Sequence, residues 1–144
     1  MWFLKLGFSG LTNYRFQTGK LHVIVFNNNT WEFGDKPVNL DWLEKELEAA
    51  YAVTATQGGH ILVVNHINHN SDERFSVEEI ARYRTMMKTY NVSLSINGHN
   101  HEYDLTEIDG MQYLTIGSVQ NMAYARLSFT GPARDDFTIE KVNV

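Results

Sequence analysis

Two short apolar runs along the chain are typical of strands buried on both faces of a sheet. Residues 21–26 read Leu-His-Val-Ile-Val-Phe, and residues 60–65 read His-Ile-Leu-Val-Val-Asn. β-Branched and aromatic side chains dominate the first run, and both runs stop abruptly at polar residues. A third run, residues 92–96, alternates apolar and polar positions. We predict one strand for each run.

Two segments between these runs carry apolar residues at helical spacing. The first helix is expected to begin near Asn39 or Asp41, after Pro37. Its apolar stripe consists of Leu40, Leu43, Leu47 and Ala50. The second begins at a capping box, with Ser76 as the cap and Glu79 three residues later. Asn91 is a reasonable stop for the second helix.

The order strand, helix, strand, helix, strand predicts parallel strands joined by crossover helices. The carboxyl ends of parallel strands meet at one edge of a sheet, where open α/β sheets bind their ligands. The three predicted strand ends carry Asn27 to Asn29, Asn65 with His66, and Asn97 with His99. We therefore expect polar, ligand-type side chains to converge at this edge.

After His101 the pattern changes to short antiparallel strands. Asp109-Gly110 between two alternating runs is a strong signal for a two-residue hairpin. Two further strands are expected near 122–129 and 136–143, separated by Gly131-Pro132. The predicted fold is α/β (α+β), a mixed sheet with two crossover helices followed by antiparallel strands, in one domain of residues 1–144.

His99 and His101 are the strongest candidates for chemistry. On an extended strand, residues two apart face the same side, so both imidazoles would point together and serve one metal ion or two adjacent ones. The same alternation would turn Glu102 and Asp104 away from them. Asn97-Gly98 has another interpretation, as a type I′ turn joining residues 93–96 to 100–105 in a hairpin.

The other histidines differ in their expected roles. His66 follows a buried strand, at the same sheet edge as the pair, and is a candidate third ligand. A lone histidine at a strand end is more often a structural residue held by hydrogen bonds than a metal ligand. His69 either supports a ligand or is exposed, and we expect it to be exposed. His22 and His60 stand at strand starts, on the opposite edge, and are expected to be structural.

Composition excludes several classes of function. The chain has 144 residues, no cysteine and a net charge of −5. Disulfides, thiolate nucleophiles and cysteine-type zinc sites are therefore excluded, and general binding to a nucleic-acid backbone is disfavoured. The apolar residues 1–8 are interrupted by Lys5 and form a poor signal peptide. We expect them to form a strand or a packing segment, with no membrane span and a cytoplasmic location.

Several segments together are similar to a known family. Val63-Val64-Asn65-His66 is followed by a helix, a strand and then Gly98-His99-Asn100-His101, with Tyr103 shortly after. Residues 42–47 resemble the preceding helix, and residues 14–25 resemble the hairpin before it. In this order, the segments resemble the C-terminal half of calcineurin-like metallophosphoesterases.

The resemblance implies a fold, a reaction and a set of ligands. The fold would be half of a two-sheet sandwich flanked by helices. His66 and His99 would ligate one metal ion and His101 a second, and the expected ions are Mn, Fe, Zn or Ni. In this family, two ions about 3.5–4 Å apart hydrolyse phosphoesters.

Other motifs of the family are missing from this sequence. It contains no Asp-x-His, Gly-Asp-x-x-Asp or Gly-Asn-His-Asp/Glu, and Asn68 stands where the family commonly has proline. We therefore expect a truncated protein, incomplete as a catalyst alone, with catalytic residues unassigned. An exposed sheet face would pair with a second copy, as a homodimer, or with a separate N-terminal half. The alternative is a non-catalytic dimerisation or metal-binding module.

Overall fold

The computed structural model describes residues 13–29, 38–69, 75–118 and 123–143. The segment expected at residues 1–8 lies outside them. In chain order the elements are β1 Tyr14–Thr18, β2 Leu21–Val25, α1 Leu40–Gln57, β3 His60–Val64, α2 Val77–Thr89, β4 Leu94–Asn97, β5 Asp104–Ile108, β6 Met111–Thr115, β7 Ala123–Phe129 and β8 Phe137–Asn143.

Six of the strands form one mixed sheet, in the order β1-β2-β3-β4-β6-β5. β2, β3, β4 and β6 run parallel, while β1 and β5 are antiparallel edge strands. Together with the two helices and the antiparallel β7–β8 pair, this confirms the predicted fold class. The parallel register places the ends of β2, β3 and β4 at one edge.

The sequence suggests hairpin turns at two places, and the structure confirms the one at Asp109-Gly110. Asp109 and Gly110 both have positive φ, as a two-residue turn between β5 and β6 requires. The alternative interpretation of Asn97-Gly98 as a hairpin turn is wrong. β4 pairs in parallel with β3 and β6, and β5 pairs with β6 on its other side. The loop after β4 therefore passes the end of β6 to reach β5 on its far side.

Both helices begin where the sequence predicts and pack on one face of the sheet. The Asn39 side chain accepts from the Trp42 backbone N–H, and both halves of the Ser76–Glu79 capping box form. Asn91 adopts a left-handed φ of 53° just past α2. The predicted stripe of α1 is buried against β2 and β3 in the main core.

The opposite face of the six-stranded sheet packs against the β7–β8 hairpin. Leu62, Leu94 and Leu114 of the sheet contact Leu127 and Ile139 of the hairpin. The sequence led us to expect a bare apolar face there. Its central leucines are instead buried, because residues 123–143 fold back over them. The hairpin's own inward side chains remain only half-buried.

The amino end of the sheet is tied to the loop between β7 and β8. His60 contacts Ser93 Oγ through Nδ1 at 3.1 Å and the Gly131 carbonyl through Nε2 at 2.8 Å. Its role is therefore structural, as expected, and His22 is likewise buried on β2. None of the helices in the described ranges is long and apolar enough to span a bilayer.

Candidate functional site

The predicted convergence at the carboxyl edge is present, but the asparagines there serve the fold. Asn28 is fully buried, and its amide donates to the Ile67 carbonyl at 2.7 Å and accepts from the Ile67 N–H at 3.0 Å. Asn65 and Asn97 are buried as well. Because these amides bind the chain's own backbone and side chains, they hold loops in place at the edge.

His66 and His99 meet at this edge. His66 Nε2 lies 3.3 Å from His99 Nδ1, and the two rings are 84° apart in orientation. Both residues are exposed. The backbone fixes their approach, because the Gly98 N–H donates to the His66 carbonyl at 3.0 Å. The structure thus brings together the histidine after β3 and the first histidine after β4.

The strand argument for His99 and His101 is wrong. β4 ends at Asn97, and His99 and His101 have φ values of 73° and 59°. Both lie in the left-handed region, which is sparsely populated outside glycine. Alternation on an extended strand therefore decides neither where His101 points nor where Glu102 points. Asp104 begins β5, beyond the loop.

The histidine pair has the spacing of two ligands on one metal ion. Two nitrogen ligands about 2.0–2.1 Å from a tetrahedral zinc ion stand about 3.3 Å apart. The observed separation matches that value. The same two nitrogen atoms also lie within hydrogen-bonding distance of each other, and which ring donates depends on the tautomers. His66 and His99 therefore fit a shared ion.

A third ligand is not assembled around the pair. His101 is exposed two residues further along the loop. Within the described ranges, no three or more His, Cys, Asp or Glu residues are grouped so as to hold a metal ion. The assignment of His66, His99 and His101 to two ions stays a prediction, and only the first two are in contact here.

A cleft opens beside His66, between the ends of β2 and β3. Its volume is about 500 Å³, and it is lined by Val25, Phe26, Asn27, Asn29, Val64, Asn65 and His66. Its polar lining is amide and imidazole, with no carboxylate among these residues. Among the described residues that line it, the cleft therefore offers room beside the histidine pair but no carboxylate.

His69 is buried, which contradicts the expectation that it is exposed. The residue is 1% exposed, and its ring contacts those of Tyr83 and Tyr113, with centroids 5.5 and 4.1 Å away. Burial, together with the charge of Arg84, lowers the pKa of His69 to about 4. The ring is therefore neutral at pH 7 and packs as an aromatic side chain. Polar sequence neighbours gave no sign of this.

Buried hydroxyl groups bind the asparagine side chains at this edge, and the sequence analysis did not identify them. The Tyr83 hydroxyl contacts Ser95 Oγ at 2.9 Å and receives the Asn65 amide at 3.1 Å. Burial raises its pKa above the usual value for tyrosine. Thr115 Oγ1 receives the amides of Asn97 at 2.9 Å and Asn68 at 3.2 Å. A serine or threonine inside a strand carries no distinctive sequence signal.

Comparison with known proteins finds structural likeness only. No family model matches the chain, and no curated protein does. It matches GAP50, the anchor in the inner membrane complex of Plasmodium, at a TM-score of 0.52 and 18% identity, over 91% of this chain and 45% of that one. It also matches a Staphylococcus aureus protein assigned as a 5′-nucleotidase, at a TM-score of 0.49 and 15% identity. That match covers 93% of this chain and 29% of the other.

These matches bear on the fold. The likeness to GAP50 shows that this arrangement of sheet, helices and hairpin also occurs within a longer chain. The present chain spans less than half the length of either matched structure. At these identities, no residue's role passes from one protein to the other.

The buried His69 predicts a pH-dependent stability. The unfolded ring binds a proton near its ordinary pKa of 6.5, whereas the folded ring does so only near 4. The free energy of unfolding should therefore fall as the pH drops through this window, by about 2 kcal/mol between pH 7 and pH 5. Urea unfolding at the two pH values measures the loss.

Replacing His69 isolates its share of that loss. His69→Phe retains an aromatic ring against the two tyrosines and removes the proton site, so its unfolding free energy should change less with pH. Thr138→Val, at an exposed position of β8, should keep the pH dependence of the wild-type chain. An unchanged pH dependence in His69→Phe would show that the folded ring is protonated normally.

Proposed function

We propose that this chain is the histidine-bearing half of a metal-dependent phosphoesterase. The observation that carries the proposal is the 3.3 Å contact between His66 Nε2 and His99 Nδ1, at the carboxyl ends of adjacent parallel strands. The order of the motifs resembles the C-terminal half of calcineurin-like metallophosphoesterases.

His66 and His99 are the residues that would hold one divalent ion, with His101 assigned to a second by the resemblance. A bound transition-metal pair would supply a hydroxide nucleophile at neutral pH and stabilise charge on the phosphoryl oxygens. The chain's own contribution is to orient the imidazoles. The carboxylate ligands of such a centre must come from another part of the protein or from a partner, because the cleft beside His66 is lined without one.

The backbone at the second motif supports a functional role. His99 and His101 both adopt left-handed φ values, a conformation that histidine, like asparagine and aspartate, adopts more often than other non-glycine residues do. Each such residue costs of the order of 1 kcal/mol, and such strain clusters at active sites and ligand clamps. A loop that only joined β4 to β5 would be more stable with glycine at these positions.

Zinc binding should depend on both members of the pair. His66→Ala and His99→Ala are each expected to weaken Zn²⁺ binding by at least about tenfold, because each removes one of two nitrogen ligands. Isothermal titration calorimetry of the chain with Zn²⁺ measures the affinities. Asn100→Ala, in the same exposed loop, should bind Zn²⁺ like the wild-type chain. Equal affinity in all four proteins would contradict the proposed site.

Phosphoester hydrolysis tests the enzymatic part of the proposal. When the chain is assayed with Mn²⁺ together with the carboxylate-bearing part that completes the centre, turnover of bis(p-nitrophenyl) phosphate is expected, and it should be lost in His101→Ala because the resemblance gives this residue to the second ion. The rate of p-nitrophenolate release at 405 nm measures turnover. The absence of turnover with any metal ion would favour a non-catalytic module.

We further propose that a partner adds to the β7–β8 pair, either a second copy or a separate N-terminal half. The two strands form their own two-stranded sheet, and a sheet of this size is marginal without further strands. Tyr124 and Phe129 on β7 are 45% and 38% exposed. Light scattering of the pure chain is expected to show a dimer, and a stable monomer at micromolar concentration would count against self-association.

A further inference from the structure

The two histidine-bearing loops share one anchor, the hydroxyl of Thr115 at the end of β6. Asn68, two residues after His66, donates its amide to Thr115 Oγ1 at 3.2 Å. Asn97, two residues before His99, donates to the same oxygen at 2.9 Å. One side-chain oxygen therefore contacts the loop after β3 and the end of β4.

The chemistry of the hydroxyl favours acceptance from both amides. A threonine hydroxyl has one hydrogen and two acceptor lone pairs, so it can donate to one of the two side chains at most. At least one asparagine must donate to it, whichever way the amides are oriented. Thr115 is 4% exposed, so water competes little for these bonds. Loss of the oxygen would leave a buried amide hydrogen without its acceptor.

The surrounding backbone makes Thr115 a rigid anchor. Thr115 pairs with Asn97 of β4 on one side and with Asp104 of β5 on the other. Just beyond it, the Ile116 N–H donates to the Asn97 carbonyl at 2.7 Å. β6 is therefore fixed on both sides, whereas His66 and His99 stand on loops.

A second side chain of β6 also contacts the loop after β3. Tyr113, two residues before Thr115 on the same face, packs against the ring of His69 at a centroid distance of 4.1 Å. The segment from His66 to His69 is thus held on β6 through Asn68 and His69. The end of β4 is held there through Asn97.

We propose that Thr115 is a positioning residue that sets the separation of His66 and His99. This inference rests on the proposed function, since it assigns Thr115 to the support of the same histidine pair. The hydroxyl contacts neither imidazole. It fixes the residues two positions away from each, so that the rings meet at ligand spacing before a metal ion arrives.

Thr115→Val tests the proposal, because valine retains the branched shape and removes the acceptor. Zn²⁺ affinity is expected to fall about tenfold, the range in which loss of a group that supports a ligand acts. Thr115→Ser should restore it. Thr138→Val, on an exposed position of β8, is the matched control and should bind Zn²⁺ like the wild-type chain.

A measurement without metal separates this proposal from the proposed function. The rings of His66 and His99 have centroids 5.2 Å apart, within reach of a nuclear Overhauser effect between their ring protons. In the metal-free chain, this effect should be weakened in Thr115→Val and retained in Thr115→Ser. If the wild-type chain binds no Zn²⁺, the proposed function fails, while the comparison of the two variants still decides the role of Thr115.

Two results would overturn the positioning role. One is Thr115→Val with wild-type Zn²⁺ affinity, and the other is an undiminished effect between the two rings. Asn68→Ala provides a second variant if Thr115→Val does not fold, because it removes only one of the two amides from a half-buried loop. A smaller loss of the ring contact in Asn68→Ala supports the proposal, and an unchanged contact contradicts it.

Discussion

The hydrogen bond from the Gly98 N–H to the His66 carbonyl is the interaction on which the candidate site depends. It continues the ladder between β3 and β4, after the Asn65 N–H has bound the Ile96 carbonyl. This bond extends the backbone pairing beyond the strands, so that the loops after β3 and β4 are in contact. The two imidazoles lie 3.3 Å apart on loops whose peptide groups are paired in this way.

The sequence predicts those parts of the fold that are set by local pattern. Continuous β-branched runs predict β2 and β3, and the Ser76–Glu79 box predicts the start of α2, because each signal lies within a few residues of its structural result. Parallel order then predicts which strand ends meet. That His66 and His99 lie at the same edge of the sheet follows from that order.

The remaining features depend on contacts between distant segments. His69 is buried because Tyr83 and Tyr113, 14 and 44 positions away, place their rings against it. The left-handed turns at His99 and His101 replace a strand that the alternation rule assumed. The sheet face expected to be bare is covered by β7 and β8, whose strand pattern does not say which face they will pack on.

If the histidine pair holds metal as proposed, the uncharged character of its described surroundings implies that further ligands are needed. Imidazoles are neutral ligands, so two divalent ions held close together need anionic ligands to reduce their mutual repulsion. The residues lining the cleft beside His66 are apolar, amide or imidazole. This cleft of about 500 Å³ lies between β2 and β3, next to the imidazole that β3 presents. In the proposed site, a carboxylate-bearing segment would have room in this cleft on the β2 side, and Thr115 would hold the two histidine-bearing loops from the β6 side.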